Sequence, residues 1–90
     1  MKDYLTIKND KGEEKEFEIL LSYVGEETGY QYVTYTDFSK DEDGSIICYS
    51  SILEDDGSLS PITDEKTLDT IDELLKTVAE TTNMRYLNKE

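Results

Sequence analysis

The feature that most constrains this chain of 90 residues is a change in its hydrophobic period near residue 63. Before that point apolar side chains tend to alternate with polar ones, which is the two-residue period of a β-strand with one buried face. From Thr63 onward they recur every three or four residues, as they do along one side of an α-helix. The chain therefore predicts several strands followed by one helix.

Four segments carry the strand pattern, and polar turns separate them. The second segment is the clearest, because a slip of one residue would bury its glutamates. Its apolar face is predicted to comprise Phe17, Ile19, Leu21 and Tyr23. Both faces of the fourth segment are partly apolar, so its hydrophobic pattern does not show which face is buried. The predicted strands span residues 4–8, 15–24, 30–36 and 45–53, and residues 59–62 are a possible short edge strand.

The helical segment has a signal at each end. Thr63 is the predicted N-cap, and the two acidic residues that follow it suit the positive end of the helix dipole. Asn83 is the predicted C-terminal breaker, so the helix should end near Thr81. The apolar stripe that should face the sheet consists of Leu68, Ile71, Leu75 and Val78.

These elements predict the fold class and the domain organisation. Short turns favour antiparallel neighbours, and a single amphipathic helix requires an apolar sheet face to cover. We therefore expect an α+β fold: a four-stranded antiparallel β-meander, with the possible fifth edge strand, packed against one C-terminal α-helix. Residues 1–82 are predicted to form a single domain, and residues 83–90 a flexible tail.

The composition is strongly acidic and restricts the possible functions. Twenty-two Asp and Glu face nine Lys and Arg, for a net charge of −13, and there is no histidine. Because proteins contact nucleic-acid phosphates through basic patches, direct binding to nucleic acid is not expected. No apolar stretch approaches the roughly 20 residues that span a bilayer, and no secretory signal is recognisable, so a cytoplasmic protein without membrane contact is expected.

The motifs do not favour catalysis or a cofactor. Cys48 lies between apolar residues with no histidine to form its thiolate, so it is interpreted as a small packing residue. The segment 41–46 resembles the middle of a calcium loop, but Ser39 and Ser50 occupy the positions of the loop's first and last carboxylate ligands. An enzyme, or a weak divalent-cation binder that uses clustered carboxylates, is the less favoured alternative.

The leading functional hypothesis is a monomeric, non-enzymatic interaction module for a basic protein partner, because high charge steers a protein toward oppositely charged surfaces. The alternative is a nucleic-acid mimic that inhibits a DNA- or RNA-binding protein with a duplex-like array of carboxylates. One helix covers one sheet face, so strand tyrosines on the other face could anchor a partner, although ordinary strand packing would also explain them. The candidate partner surface comprises Tyr30, Tyr32, Tyr35, Tyr49, Glu54, Asp55, Asp56, Asp69, Asp72 and Glu73.

Three segments, taken in order, resemble the YrzB-like family of small acidic bacterial proteins, also described as domain of unknown function 1292. They are residues 5–20 (LTIKNDKGEEKEFEIL), 30–35 (YQYVTY) and 59–65 (LSPITDE), the last leading into the helix. With the acidic turns between them, they cover the chain from about residue 4 to residue 80. The chain departs from the family at residues 36–38, where family members often have a proline. The resemblance implies a bacterial, cytoplasmic protein and supplies no catalytic residue or cofactor.

Overall fold

The computed structural model describes residues 3–89. A curled, mainly antiparallel sheet packs against one helix, so the predicted α+β class is confirmed. The elements are β1 (Tyr4–Lys8), β2 (Glu14–Val24), β3 (Gln31–Thr36), β4 (Ile46–Leu53), β5 (Leu59–Ser60), α1 (Glu65–Thr82) and β6 (Tyr86–Lys89). Within the described residues, no helix has the length and apolar character needed to cross a lipid bilayer.

The first five strands form an antiparallel meander in chain order. The predicted fifth strand is confirmed, although β5 is only two residues long. Because β5 pairs with Ile52 and Leu53 alone, the other half of the β4 edge is left for a different partner.

That partner is β6, which differs from the flexible tail predicted for residues 83–90. β6 runs parallel to β4, with Tyr86 opposite Ile46 and Asn88 opposite Cys48. The backbone N–H of Ile46 also donates to the carbonyl of Arg85, at 2.8 Å. The segment from 86 to 89 is therefore part of the sheet, while the single-domain assignment of residues 1–82 stays a prediction. Residues 1, 2 and 90 lie outside the described residues.

A β-bulge in β2 changes the face to which its side chains point. Ile19 and Leu21 pair with consecutive residues of β3, so Leu20 between them has no partner in the register. An extra residue of this kind shifts the alternation by one and bends the strand. Phe17 therefore shares a side with Ile19, and Tyr23 shares the opposite side with Leu21. The prediction that these four side chains form one apolar face is wrong.

The central strands β3 and β4 present two different faces. Even-numbered side chains lie toward α1 and form what we call the helix face: Tyr32, Thr34, Thr36, Ile46, Cys48 and Ser50. Odd-numbered side chains and one residue from β2 form the aromatic face: Phe17, Val33, Tyr35, Tyr49 and Ser51. The Phe17 ring lies 5.5 Å from that of Tyr35 and 6.3 Å from that of Tyr49, centroid to centroid. A ring of β2 that reaches β4 across β3 shows how strongly the sheet curls.

The helix begins one residue later than predicted, because Asp64 and not Thr63 is the N-cap. The carboxylate of Asp64 accepts a hydrogen bond from the backbone N–H of Lys66, at 3.3 Å. The C-terminus is as predicted: Asn83 has a left-handed backbone (φ 56°), and its N–H donates to the carbonyl of Ala79. Three residues of the predicted stripe are buried: Leu68, Ile71 and Leu75.

Candidate partner surface

The four candidate tyrosines do not form one surface. Tyr32 and Tyr35 are only 3% and 7% exposed, so neither is accessible to a partner, and the expectation that they stand on an open face is wrong. β3 is covered on both sides, by α1 on the helix face and by Phe17 on the aromatic face. Tyr30 (51% exposed), just before β3, and Tyr49 (37% exposed), on the aromatic face, remain accessible.

Each buried tyrosine also uses its hydroxyl inside the protein. Tyr32 shares a hydrogen bond of 2.9 Å with Thr28 Oγ1, and its ring stacks on that of Tyr23 at 5.8 Å between centroids. The hydroxyl of Tyr35 shares a hydrogen bond of 3.0 Å with Ser51 Oγ. Both rings therefore have a structural role, as expected from ordinary strand packing, which was the alternative explanation for the strand tyrosines.

The candidate carboxylates separate into two groups. Glu54 and Asp55 lie in the turn before β5 and line a shallow groove together with Tyr30, at one end of the sheet. Asp56, in the same turn, accepts hydrogen bonds from the Oγ and backbone N–H of Ser58, and these bonds hold the pKa of its carboxyl below the usual value. The second group consists of Asp69, Asp72 and Glu73, on the exposed side of α1.

This second group forms one wall of an open groove of about 530 Å³, which we call the α1–β6 groove. Positions i, i+3, i+4 and i+7 of a helix lie on one side, so these carboxylates and the single lysine of the wall form one row. The opposite wall is the strand β6. The groove is lined by Asp69, Asp72, Glu73, Leu75, Lys76, Tyr86, Leu87 and Asn88.

A chain of hydrogen bonds links this groove to the buried helix face. Thr34 Oγ1 and Ser50 Oγ lie 2.8 Å apart, and Ser50 Oγ donates to Asn88 Oδ1 at 3.1 Å. Asn88 Nδ2 in turn donates to Asp72 Oδ1, also at 3.1 Å. Because an unsatisfied buried hydroxyl is costly, this chain fixes β6 to the sheet and positions the helix wall relative to β6.

The thiol of Cys48 lies next to this chain and is unsuited to nucleophilic chemistry. Burial and, to a smaller extent, the negative charge of Asp72 raise its pKa to about 12. Its Sγ donates to the carbonyl of Leu87, at 3.6 Å. A thiol that stays protonated at neutral pH favours the packing role inferred from the sequence.

In the segment that resembles a calcium loop, the carboxylate of Asp41 accepts hydrogen bonds from the backbone of its own turn. Asp41 Oδ1 accepts hydrogen bonds from the N–H groups of Asp43 (3.0 Å) and Ser45 (2.8 Å). The guanidinium of Arg85 also donates to the carbonyl of Asp43. In the part of the chain that the structure describes, no three His, Cys, Asp or Glu side chains are grouped in a way that could hold a metal ion.

An ion pair that the sequence did not indicate borders the aromatic face. The ammonium of Lys15 contacts the carboxylate of Asp37 and lies 5.8 Å from the centroid of the Phe17 ring. The hydrogen bond from Lys15 lowers the pKa of Asp37 to about 2, against the opposing effect of burial. The same contact raises the pKa of Lys15.

The β6 wall of the groove was also missed from the sequence. Its residues, Tyr86 to Asn88, lie in the segment predicted as a tail. The sequence feature that could have indicated β6 lies in β4. Both faces of β4 are partly apolar and β5 is short, so most of the β4 edge requires a second partner strand.

Two known proteins are similar to this chain. A UPF0473 protein of Listeria welshimeri is 37% identical over 76 residues, which cover 79% of this chain and 76% of the relative. A UPF0473 protein of Listeria monocytogenes serotype 4b is 36% identical over 76 residues, with the same coverage of both chains. No protein-family model and no solved structure matches the chain. The resemblance to the YrzB-like family therefore stays a prediction.

Proposed function

The chain belongs to the UPF0473 family, whose name states no activity, and from that premise we propose that it is a non-enzymatic module that binds a basic protein partner. The observation that carries this proposal is the α1–β6 groove. Three carboxylates lie there along one side of α1, and Lys76 is the one cation on that wall. The net charge of −13 over the whole chain acts in the same direction.

Like charges held in a row repel one another, and a cationic partner would relieve that repulsion. Charges at the surface act over about 10 Å at 0.1 M salt, so the groove would attract basic surfaces from a distance and accelerate association. Such binding should weaken steeply as the salt concentration rises.

The same charge supports the remaining parts of the proposal. Repulsion between copies disfavours self-association, so we propose a monomer. The raised pKa of the Cys48 thiol, at about 12, disfavours that thiol as a nucleophile, and the hydrogen bond that Asp41 accepts from Ser45 disfavours Asp41 as a calcium ligand, so the proposal includes no catalytic step and no cofactor. We further propose that the protein acts in the cytoplasm, which rests on the sequence alone.

The test is capture of a partner from bacterial lysate on the immobilised protein at low and at moderate salt. We expect a stoichiometric basic protein that elutes as salt rises and that is not retained by a double variant, Asp69→Asn with Glu73→Gln. A column that retains no specific protein at low salt would contradict the proposal. If duplex DNA competes for the captured protein, the alternative of nucleic-acid mimicry would be favoured.

A further inference from the structure

We infer that the α1–β6 groove binds an extended peptide segment in which basic and apolar residues alternate, and that this segment pairs with the outer edge of β6. The inference rests on the proposed function, and it specifies the form of the partner. Three features carry it: the direction of the backbone groups of β6, the spacing of the carboxylates on α1, and the side chains on the two faces of β6.

The backbone of β6 has one side without a partner strand. The bond from Ile46 N–H to the Arg85 carbonyl shows that residues 85 and 87 direct their backbone groups toward β4. In a parallel pair the alternate residues point away, so Tyr86 and Asn88 direct their N–H and C=O groups to the outer side. Among residues 3–89, no strand pairs with β6 on that side. An edge of this kind can accept an added strand.

The carboxylates match the repeat of such a strand. Same-face residues of a β-strand are about 6.6–6.8 Å apart, at 3.3–3.4 Å per residue. Asp69 and Glu73 are separated by four helical residues, a rise of about 6 Å. Two basic side chains at positions i and i+2 of an added strand can therefore each meet one carboxylate. Lys76, at the end of the row, disfavours a third basic residue and so helps to set the register.

The other side of the added strand would meet an apolar surface. Asn88 lies on the helix face, since it bonds to both Ser50 and Asp72. Leu87 is paired with Ile47 and points to the opposite face, where it is 41% exposed. Residues of the bound segment at i+1 and i+3 would lie beside Leu87, which favours apolar side chains there. Charge on one side and an apolar neighbour on the other thus define the alternating pattern.

The first experiment measures binding of two labelled eight-residue peptides by fluorescence anisotropy at low salt. One alternates lysine and leucine, and the other has the same composition in two blocks of four. We expect the alternating peptide to bind roughly ten times more tightly. Asp69→Asn with Glu73→Gln should weaken it roughly 3- to 10-fold. The matched variant, Glu54→Gln with Asp55→Asn, removes the same charge at the other groove and should change affinity less than about twofold.

The second experiment locates the peptide by amide hydrogen exchange in NMR. Binding should slow exchange of the Tyr86 and Asn88 amides, while the Leu87 amide, which points toward β4, serves as the internal control. Equal affinity for the two peptides, or no added protection at Tyr86 and Asn88, would overturn the inference and leave the proposed function standing. Alternatively, the carboxylates only protect the β6 edge from self-association. The Asp69→Asn and Glu73→Gln variant would then dimerise and neither peptide would bind, which would also overturn the inference. Failure of the proposed function is separate, since it is decided by protein capture.

Discussion

Both faces of β3 are buried, yet different interactions stabilise them. On the helix face the hydroxyls of Thr34 and Thr36 are excluded from solvent and hydrogen-bonded to Ser50 Oγ and to the carbonyl of Ile47. On the aromatic face the rings pack edge to face or tilted, and the Lys15–Asp37 ion pair lies at their border. The two buried hydroxyls of the helix face are therefore bonded to neutral groups, whereas a charged pair near solvent borders the aromatic face.

This difference shows that the face covered by a helix need not be the more apolar one. A buried threonine costs little when its hydroxyl has a partner, because the penalty of burial comes from unsatisfied polar atoms. In the part of the chain that the structure describes, every buried side-chain nitrogen or oxygen has a hydrogen-bond partner. The helix face should accordingly respond to loss of packing or of a hydrogen-bond partner, and the aromatic face to pH.

The largest expected effect is on the packing of the helix face. Ile71→Ala removes a fully buried side chain of α1 and should lower the free energy of unfolding by about 2–5 kcal/mol. Urea unfolding followed by circular dichroism would measure it. Leu74→Ala, at an exposed position of the same helix, is the control and should cost less than about 1 kcal/mol. Equal losses for the two variants would mean that α1 does not cover this face as described.

The next effect tests the polar chain of the helix face. Asn88→Ala removes the acceptor of the Ser50 hydroxyl and the donor to Asp72, so it should cost about 1–3 kcal/mol. Faster exchange of the Leu87 amide, which points toward β4, should accompany the loss, since the chain of hydrogen bonds fixes that strand. Leu87→Ala changes the neighbouring residue on the opposite face and should have the smaller effect. A stable Asn88→Ala variant with unchanged exchange would show that β6 is stabilised by its backbone alone.

The aromatic face should supply the dependence on pH. The folded-state pKa of Asp37 is lowered to about 2, so its contribution is complete above the ordinary carboxyl pKa near 4 and is lost as the pH falls toward 2. Asp37→Asn should therefore cost about 1–2 kcal/mol at pH 7 and almost nothing at pH 2. The cost at pH 7 is smaller than the pKa shift alone implies, because Lys15 is exposed and solvent screens the ion pair. The measurement is the difference in unfolding free energy between wild type and variant across this range.

Asp10→Asn is the control for the pH experiment, because it removes the same charge in an exposed turn. Taking differences between variants also cancels the general effect of neutralising the other carboxylates. If the cost of Asp37→Asn did not change between pH 7 and pH 2, the ion pair would not contribute to stability.

Local patterns predicted the parts of the fold that depend on local interactions. The alternation in residues 4–8 matches β1, and Asn83 ends α1 through its own left-handed backbone. The spacing of Asp69, Asp72 and Glu73 along a helix likewise indicates that they share one side. Each of these features depends on residues that are close together in the sequence.

Features that depend on distant partners were not predictable in this way. The bulge at Leu20 exists only in the register with β3, and periodicity in β2 alone cannot show it. β6 forms because β5 leaves part of the β4 edge uncovered, so the second wall of the groove was invisible in residues 86–89 themselves. Tyr32 and Tyr35 were expected on a surface because a flat sheet with one helix has an open face. Tyr32 instead lies on the helix face, and the curl of the sheet brings Phe17 over Tyr35 on the other face.

The smallest expected effect on stability comes from removing a tyrosine hydroxyl of the aromatic face while its ring is kept. Tyr35→Phe keeps the edge-to-face contact with Phe17 and removes the hydrogen bond to Ser51, so it should cost about 0.5–1.5 kcal/mol. Adding Ser51→Ala removes the other partner as well, and the double variant should be no less stable than Tyr35→Phe alone. Tyr49→Phe, at a more exposed ring, is the control and should be nearly neutral. If Tyr35→Phe cost as much as Ile71→Ala, the hydroxyl and not the ring would be the main source of stability on this face, and the two faces would be alike in depending on buried hydrogen bonds.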